Sequence, residues 1–186
     1  MIYVLVALAT ELPDGAMPDD MRIIYTGVGK VNAAYHATKT ALLPDCEMII
    51  NYGTAGTLKP ELAGRFLRVN CFKQRDIDGR PLAERGITPF DEGDLAGDIC
   101  FAHAGVSLST GDDFVRSPPV IESDLVDMEA YAIAKVCGRE GMAFECYKYV
   151  TDLADENATD NWRENVAAGA KAFLAHLAKG LRCEGG

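Results

Sequence analysis

I-Y-V-L-V-A-L, from Ile2 to Leu8, is an unbroken apolar run carrying the β-branched residues Ile2, Val4 and Val6. A strand with one wet face alternates apolar and polar residues. A run without alternation suits a strand covered on both faces, as in an α/β sheet. Outward from it, Arg22 to Thr26 reads as a second strand. G-V-G-K at Gly27–Lys30 breaks the pattern, and Val31 to Leu43 is an Ala-rich helix stopped by Pro44. Met48 to Tyr52 is a third strand, ended by Gly53-Thr54-Ala55-Gly56, and Phe66 to Phe72 a fourth. Ile99 to Leu108 is strand-like up to Ser109-Thr110-Gly111-Asp112-Asp113. Ala130 to Gly138 is helical, Ala143 to Val150 is a strand with Asp152 just past its end, and Asn161 to Leu181 is a long Ala-rich helix. Gln74 to Gly97 is polar and rich in Gly and Pro. It reads as an excursion within one unit, and loops of that length are usually functional or ordered by a partner.

This alternation predicts a mainly parallel sheet with helices on its faces, and 186 residues fit one domain. Ligands of such sheets bind at the carboxyl ends of the strands. Glu11, the Gly27–Gly29 loop, Thr54, Asp112 and Asp152 all fall just after predicted strands, so five strand ends can aim polar groups at one crevice.

Composition narrows the class. A net charge of −10 and a pI near 4.7 argue against nucleic acid as a partner, since phosphate neutralisation needs a basic footprint. No run of eighteen apolar residues is present, so no membrane span is expected. Met1 to Ala9 lacks a basic leader and reads as a strand, not a signal peptide. The six cysteines have no C-x-x-C spacing, and the three histidines add no zinc pattern. Reduced, mostly buried thiols and a cytoplasmic location are expected, with no metal or cofactor.

Three carboxylates stand beside apolar stretches: Glu11 after the first strand, Glu129 in V-D-M-E-A-Y-A-I-A, and Asp152 after Y-K-Y-V-T. Partial desolvation there would raise a pKa and let a carboxyl carry a proton near neutral pH. Ordinary roles compete: Glu129 can simply start a helix and Asp152 can be a cap. G-V-G-K is neither a P-loop nor a G-x-G-x-x-G fingerprint, because Asn32 occupies the third glycine position.

Taken in order, T-G-V-G-K-V-N-A-A, I-I-N-Y-G-T-A-G-T-L, S-T-G-D-D-F-V, V-D-M-E-A-Y-A-I-A-K-V-C and V-T-D-L-A-D resemble the motif series of the nucleoside phosphorylase superfamily. They look closest to its 5′-methylthioadenosine/S-adenosylhomocysteine nucleosidase branch. The resemblance covers nearly the whole chain. It implies a single-domain three-layer sandwich with a mixed, mainly parallel central sheet flanked by helices. It also implies a purine nucleosidase, working without a cofactor and built as a homodimer. Glu11 would activate the attacking water, Glu129 would hold the ribose hydroxyls, and Met128 would pack under the sugar. Asp152 would pass a proton to N7 of the purine. Phe114 would stack on the base, the Val115 backbone would read its edge, and Trp162 would close over it. Thr54 and Leu8 complete the substrate-binding set. The sequence departs from the pattern at Lys148, where relatives often carry Arg, and over Gln74–Gly97, where Pro81 and Leu82 replace aromatics that cover the 5′ group.

Hydrolysis is favoured over phosphorolysis, because G-T-A-G-T-L-K lacks the arginine that phosphate capture uses and Glu11 would repel phosphate. Lys30 and Lys59 keep phosphorolysis open. So do three other readings: cleavage of adenosine, inosine or futalosine, a non-catalytic nucleoside-binding protein, and a generic flavodoxin-like or Rossmann-like domain with scattered acids.

Overall fold

The structure, a computed structural model, describes residues 1–15, 17–91, 93–153 and 158–183, with the backbone alone at 152, 158–164 and 180–183. In chain order the elements are β1 (Ile2–Val6), β2 (Met21–Tyr25), α1 (Lys30–Ala41), β3 (Met48–Thr57), β4 (Phe66–Gln74) and β5 (Ile99–Cys100). β6 (Val106–Thr110), β7 (Leu125–Asp127), α2 (Ala130–Glu140), β8 (Ala143–Leu153) and α3 (Ala158–Cys183) follow.

The opening run behaves as its composition requires. β1 lies between β2 and β3 and is parallel to both. Tyr3 and Leu5 join a core with Ala33 and Ala37 of α1 and Ile133 of α2, while Val4 and Val6 join Phe173 and Leu177 of α3. Both faces are therefore covered, which removes any place for a polar alternate. Tyr52 stacks on Phe173 with centroids 4.3 Å apart, fixing α3 to β3.

β3 organises the sheet. Its first residues pair with β1, Gly56 and Thr57 pair antiparallel with β7, and its whole length runs parallel to β8. β8 also pairs antiparallel with β4, β4 pairs parallel with β6, and β6 with β7. The path β3-β7-β6-β4-β8 thus returns to β3. The α/β class and the mixed sheet hold, but the sheet closes into a barrel-like ring instead of staying an open layer of a sandwich. The register shift between Ala55 and Gly56 explains how. A bulge in a segment of small residues bends β3 and lets it exchange one partner for another.

The same segment corrects two strand ends. β3 runs through Gly53-Thr54-Ala55-Gly56 to Thr57, and β8 runs on to Leu153, so Thr54 and Asp152 sit within strands and not beyond them. The expected single strand from Ile99 to Leu108 is two, pairing along opposite edges of β4, and β7 was not anticipated. Cys71 and Cys100 are register partners and form a disulfide, against the expectation of six reduced thiols. Antiparallel pairing set their side chains directly opposite one another. Cys46, Cys137 and Cys146 are free.

Ion pairs within the 74–97 excursion and from it to α2 tie down its described residues. Asp78 pairs with Arg80 and Arg85, and Asp91 bridges Lys135 and Arg139 of α2. Among the described residues, no helix is long and apolar enough to cross a membrane.

Candidate active site

Glu11 ends a tight turn after β1. Its backbone N–H donates to Leu8 O at 3.0 Å, and Leu8 N–H donates to Glu11 Oε2 at 3.1 Å. Thr54 donates twice to Oε1, from its N–H at 2.8 Å and its hydroxyl at 2.7 Å. Three donors therefore fix a carboxylate that is only 4% exposed. This needs a small residue before Thr54: a Cβ on Gly53 would fall 3.4 Å from Glu11 Oε1 and 3.3 Å from Lys148 Nζ.

Glu129 is the N-cap residue of α2, as its ordinary reading allowed, but its side chain does not cap the helix. Oε1 instead accepts the N–H of Gly29 at 2.8 Å, across 100 residues of chain. Gly29 has φ 96°, a conformation L side chains rarely adopt, and a Cβ there would meet Asp112 Oδ1 at 3.2 Å. Burial pushes the Glu129 carboxyl up to about 7, with the neighbouring Asp127 charge adding to the rise. Lys148 and the Gly29 N–H pull the other way.

Both carboxyls line a cavity of about 290 Å³, near the small end of ligand pockets, about 300–1,000 Å³. Leu8, Thr54, Phe114, Val115 and Met128 line it as well. Phe114 is half exposed at the wall and Val115 is buried. Seven of the nine residues singled out from sequence therefore meet in one place. The side chains of the other two, Asp152 and Trp162, lie outside the described residues. The Asp152 backbone pairs in register with Gly56, which lines the cavity, and Thr151 lines it too. A generic fold with scattered acids would not bring Glu11 and Glu129 together.

Sequence reasoning missed Arg75 and Asp127. Arg75 lines the cavity, and its terminal nitrogens point at the carbonyls of Ser109, Gly111, Asp113 and Asp127. Asp127 sits one residue before Met128, and its position in V-D-M-E was the available signal. The two lysines that kept phosphate open are engaged elsewhere. Lys30 pairs with Asp76 and Asp112, and Lys59 with Asp124. Among the described residues, no three His, Cys, Asp or Glu side chains gather as a metal site.

No family model matches the chain. It is 28% identical over 167 residues to the 5′-methylthioadenosine/S-adenosylhomocysteine nucleosidase of Buchnera aphidicola subsp. Schizaphis graminum, covering 77% of this chain and 71% of that relative. Among solved structures, the futalosine hydrolase of Helicobacter pylori superposes with TM-score 0.82 at 19% identity, covering 95% of each chain. The 5′-methylthioadenosine/S-adenosylhomocysteine nucleosidase of the same organism superposes with TM-score 0.79 at 20% identity, covering 97% of each chain. The chain is thus similar in sequence to 5′-methylthioadenosine/S-adenosylhomocysteine nucleosidases and shares its fold with the two Helicobacter pylori enzymes.

Proposed function

We propose that the protein hydrolyses the N-glycosidic bond of an adenine nucleoside such as 5′-methylthioadenosine or S-adenosylhomocysteine and releases adenine. The observation that carries this reading is the pair of carboxyls in one cavity with different surroundings. Glu11 is gripped by three donors, while burial raises Glu129 to about 7. Environments that separate two carboxyls allow them separate duties.

Breaking the bond builds positive charge on the sugar and negative charge on the departing base. Glu11 orients and deprotonates water on one side of the sugar. Glu129 meets the ribose hydroxyls, and being partly protonated near neutral pH it can both donate and accept there. The nearby carboxylate charge stabilises the oxocarbenium-like sugar. Met128 packs under the ribose, with Thr54 and Leu8 beside it. Phe114 stacks on the purine and the Val115 backbone reads its edge. Asp152 protonates N7, a step of general acid catalysis of a kind that typically contributes about 10²–10⁴-fold. Trp162 closes over the base.

Water is the acceptor. Phosphate capture uses free cationic forks. Arg75, the cation among the described lining residues, has its terminal nitrogens committed to backbone carbonyls. The same absence favours a 5′ group without net charge over a 5′-phosphate. The working unit is a single-domain chain acting in the cytoplasm as a homodimer. Its neighbour covers the 5′ end with its own 74–97 segment, in which Pro81 and Leu82 take the positions of the relatives' aromatics. The test is adenine release by the wild type, Glu11→Gln and Asp152→Asn. Release by the wild type alone supports the enzyme, and equal trace release from all three leaves only a binding protein.

A further inference from the structure

Arg75 follows the last residue of β4 and its backbone N–H donates to Thr110 O at 2.9 Å, carrying the β4–β6 ladder one step further. Its side chain is 3% exposed. Nη1 donates to Ser109 O at 2.8 Å and to Asp127 O at 2.7 Å. Nη2 donates to Gly111 O at 3.1 Å, Asp113 O at 2.6 Å and Asp113 Oδ1 at 3.1 Å. Gly111 lies flat on the guanidinium: a Cβ there would fall 2.8 Å from Arg75 Cζ. The cation therefore holds two stretches of backbone. One is 109–113, leading directly into Phe114 and Val115. The other is the end of β7, leading directly into Met128 and Glu129.

We propose that Arg75 is a positioning residue for nucleoside cleavage, locking the wall that would hold the base to the wall that would hold the sugar. This rests on the nucleosidase reading. A planar fork with several N–H groups can meet carbonyls from both stretches at once, whereas a lysine ammonium reaches from a single point. The payoff is geometric: a misplacement of about 1 Å at a reacting centre can cost about 10²-fold in rate. No other described cation lines the cavity, so nothing else in it can replace this tie.

Arg75→Lys and Arg75→Ala would be assayed for adenine release from 5′-methylthioadenosine, with and without millimolar guanidinium chloride, using ammonium chloride as control. Amide hydrogen exchange would be followed in the same proteins. The lock predicts that both variants lose about 10²-fold in kcat/KM. It predicts that guanidinium, and not ammonium, restores about tenfold to Arg75→Ala. It also predicts that exchange quickens over 109–115 and 127–130 together while β1 and β2 keep their protection. Activity within twofold of wild type in both variants would overturn it. So would a loss that guanidinium fails to rescue and that accompanies faster exchange throughout the chain. If the wild type itself releases no adenine, the nucleosidase reading fails, and the exchange pattern alone decides whether Arg75 ties the two walls.

Discussion

Lys148 Nζ lies 2.9 Å from Asp127 Oδ2, and the two side chains are 2% and 1% exposed. Asp127 also accepts the Thr110 hydroxyl at 2.6 Å and the Ala130 N–H at 2.9 Å. Burial alone would lower the Lys148 pKa, but Asp127, Cys146 and Glu129 together hold it above the ordinary lysine value. One buried cation thus offsets an acidic cluster that forms the floor of the site.

Breaking this pair from one side leaves a buried charge. Lys148→Met should therefore cost about 3–5 kcal/mol of stability. Adding Asp127→Asn removes the stranded charge, so the double variant should recover a good part of that loss. Urea unfolding of the wild type, Lys148→Met, Asp127→Asn and the double variant checks this. A double variant as weak as the sum of the single losses would contradict the pairing.

Glu129 should make stability fall as pH rises. Its carboxyl titrates near 4.5 when unfolded and about 7 when folded. Below pH 4.5 it is protonated in both states and costs nothing. Between pH 4.5 and 7 the unfolded chain releases the proton first, which draws the equilibrium toward unfolding by up to about 3 kcal/mol. Glu129→Gln cannot ionise, so its stability relative to wild type should be greater at pH 8 than at pH 5. A gap between their unfolding midpoints that stays constant across that range would refute the raised pKa.

Glu11→Gln should keep the fold and lower turnover by about 10²–10⁴-fold. Thr54→Val removes a single hydroxyl donor to Glu11 Oε1 and should cost about tenfold, in line with roughly 1.5 kcal/mol for one hydrogen bond to a charged group. Steady-state adenine release measures both. A Thr54→Val loss as large as that of Glu11→Gln would mean that the hydroxyl does more than orient the carboxylate.

Because Arg75 spends its terminal N–H groups on carbonyls, a 5′-phosphate finds no free guanidinium fork among the described lining residues. Adenosine 5′-monophosphate should be cleaved at least about 10²-fold less efficiently than adenosine, the penalty typical of an unpaired charge entering a desolvated site. Comparable kcat/KM for the two would show a cationic 5′ site.

Much of this was legible in the sequence. I-Y-V-L-V-A-L announced a strand buried on both faces, and the ordered motifs placed seven residues that meet in one cavity. What failed had physical causes. Gly53 to Gly56 looks like a strand terminator because small residues have poor β-propensity, yet pairing with β8 on one side and β7 on the other overrides it. The same bulged segment closes the sheet, which no periodicity records. The Cys71–Cys100 link depends on β4–β5 register, and strands two residues long leave little pattern. Arg75 lay in a polar stretch with no motif of its own, and its importance is set entirely by carbonyls far along the chain.

The most direct test of the central claim is product analysis after incubation with 5′-methylthioadenosine, with and without phosphate. The account predicts adenine and free 5-methylthioribose at a rate that phosphate does not change. Strict dependence on phosphate, with a sugar 1-phosphate as product, would contradict it.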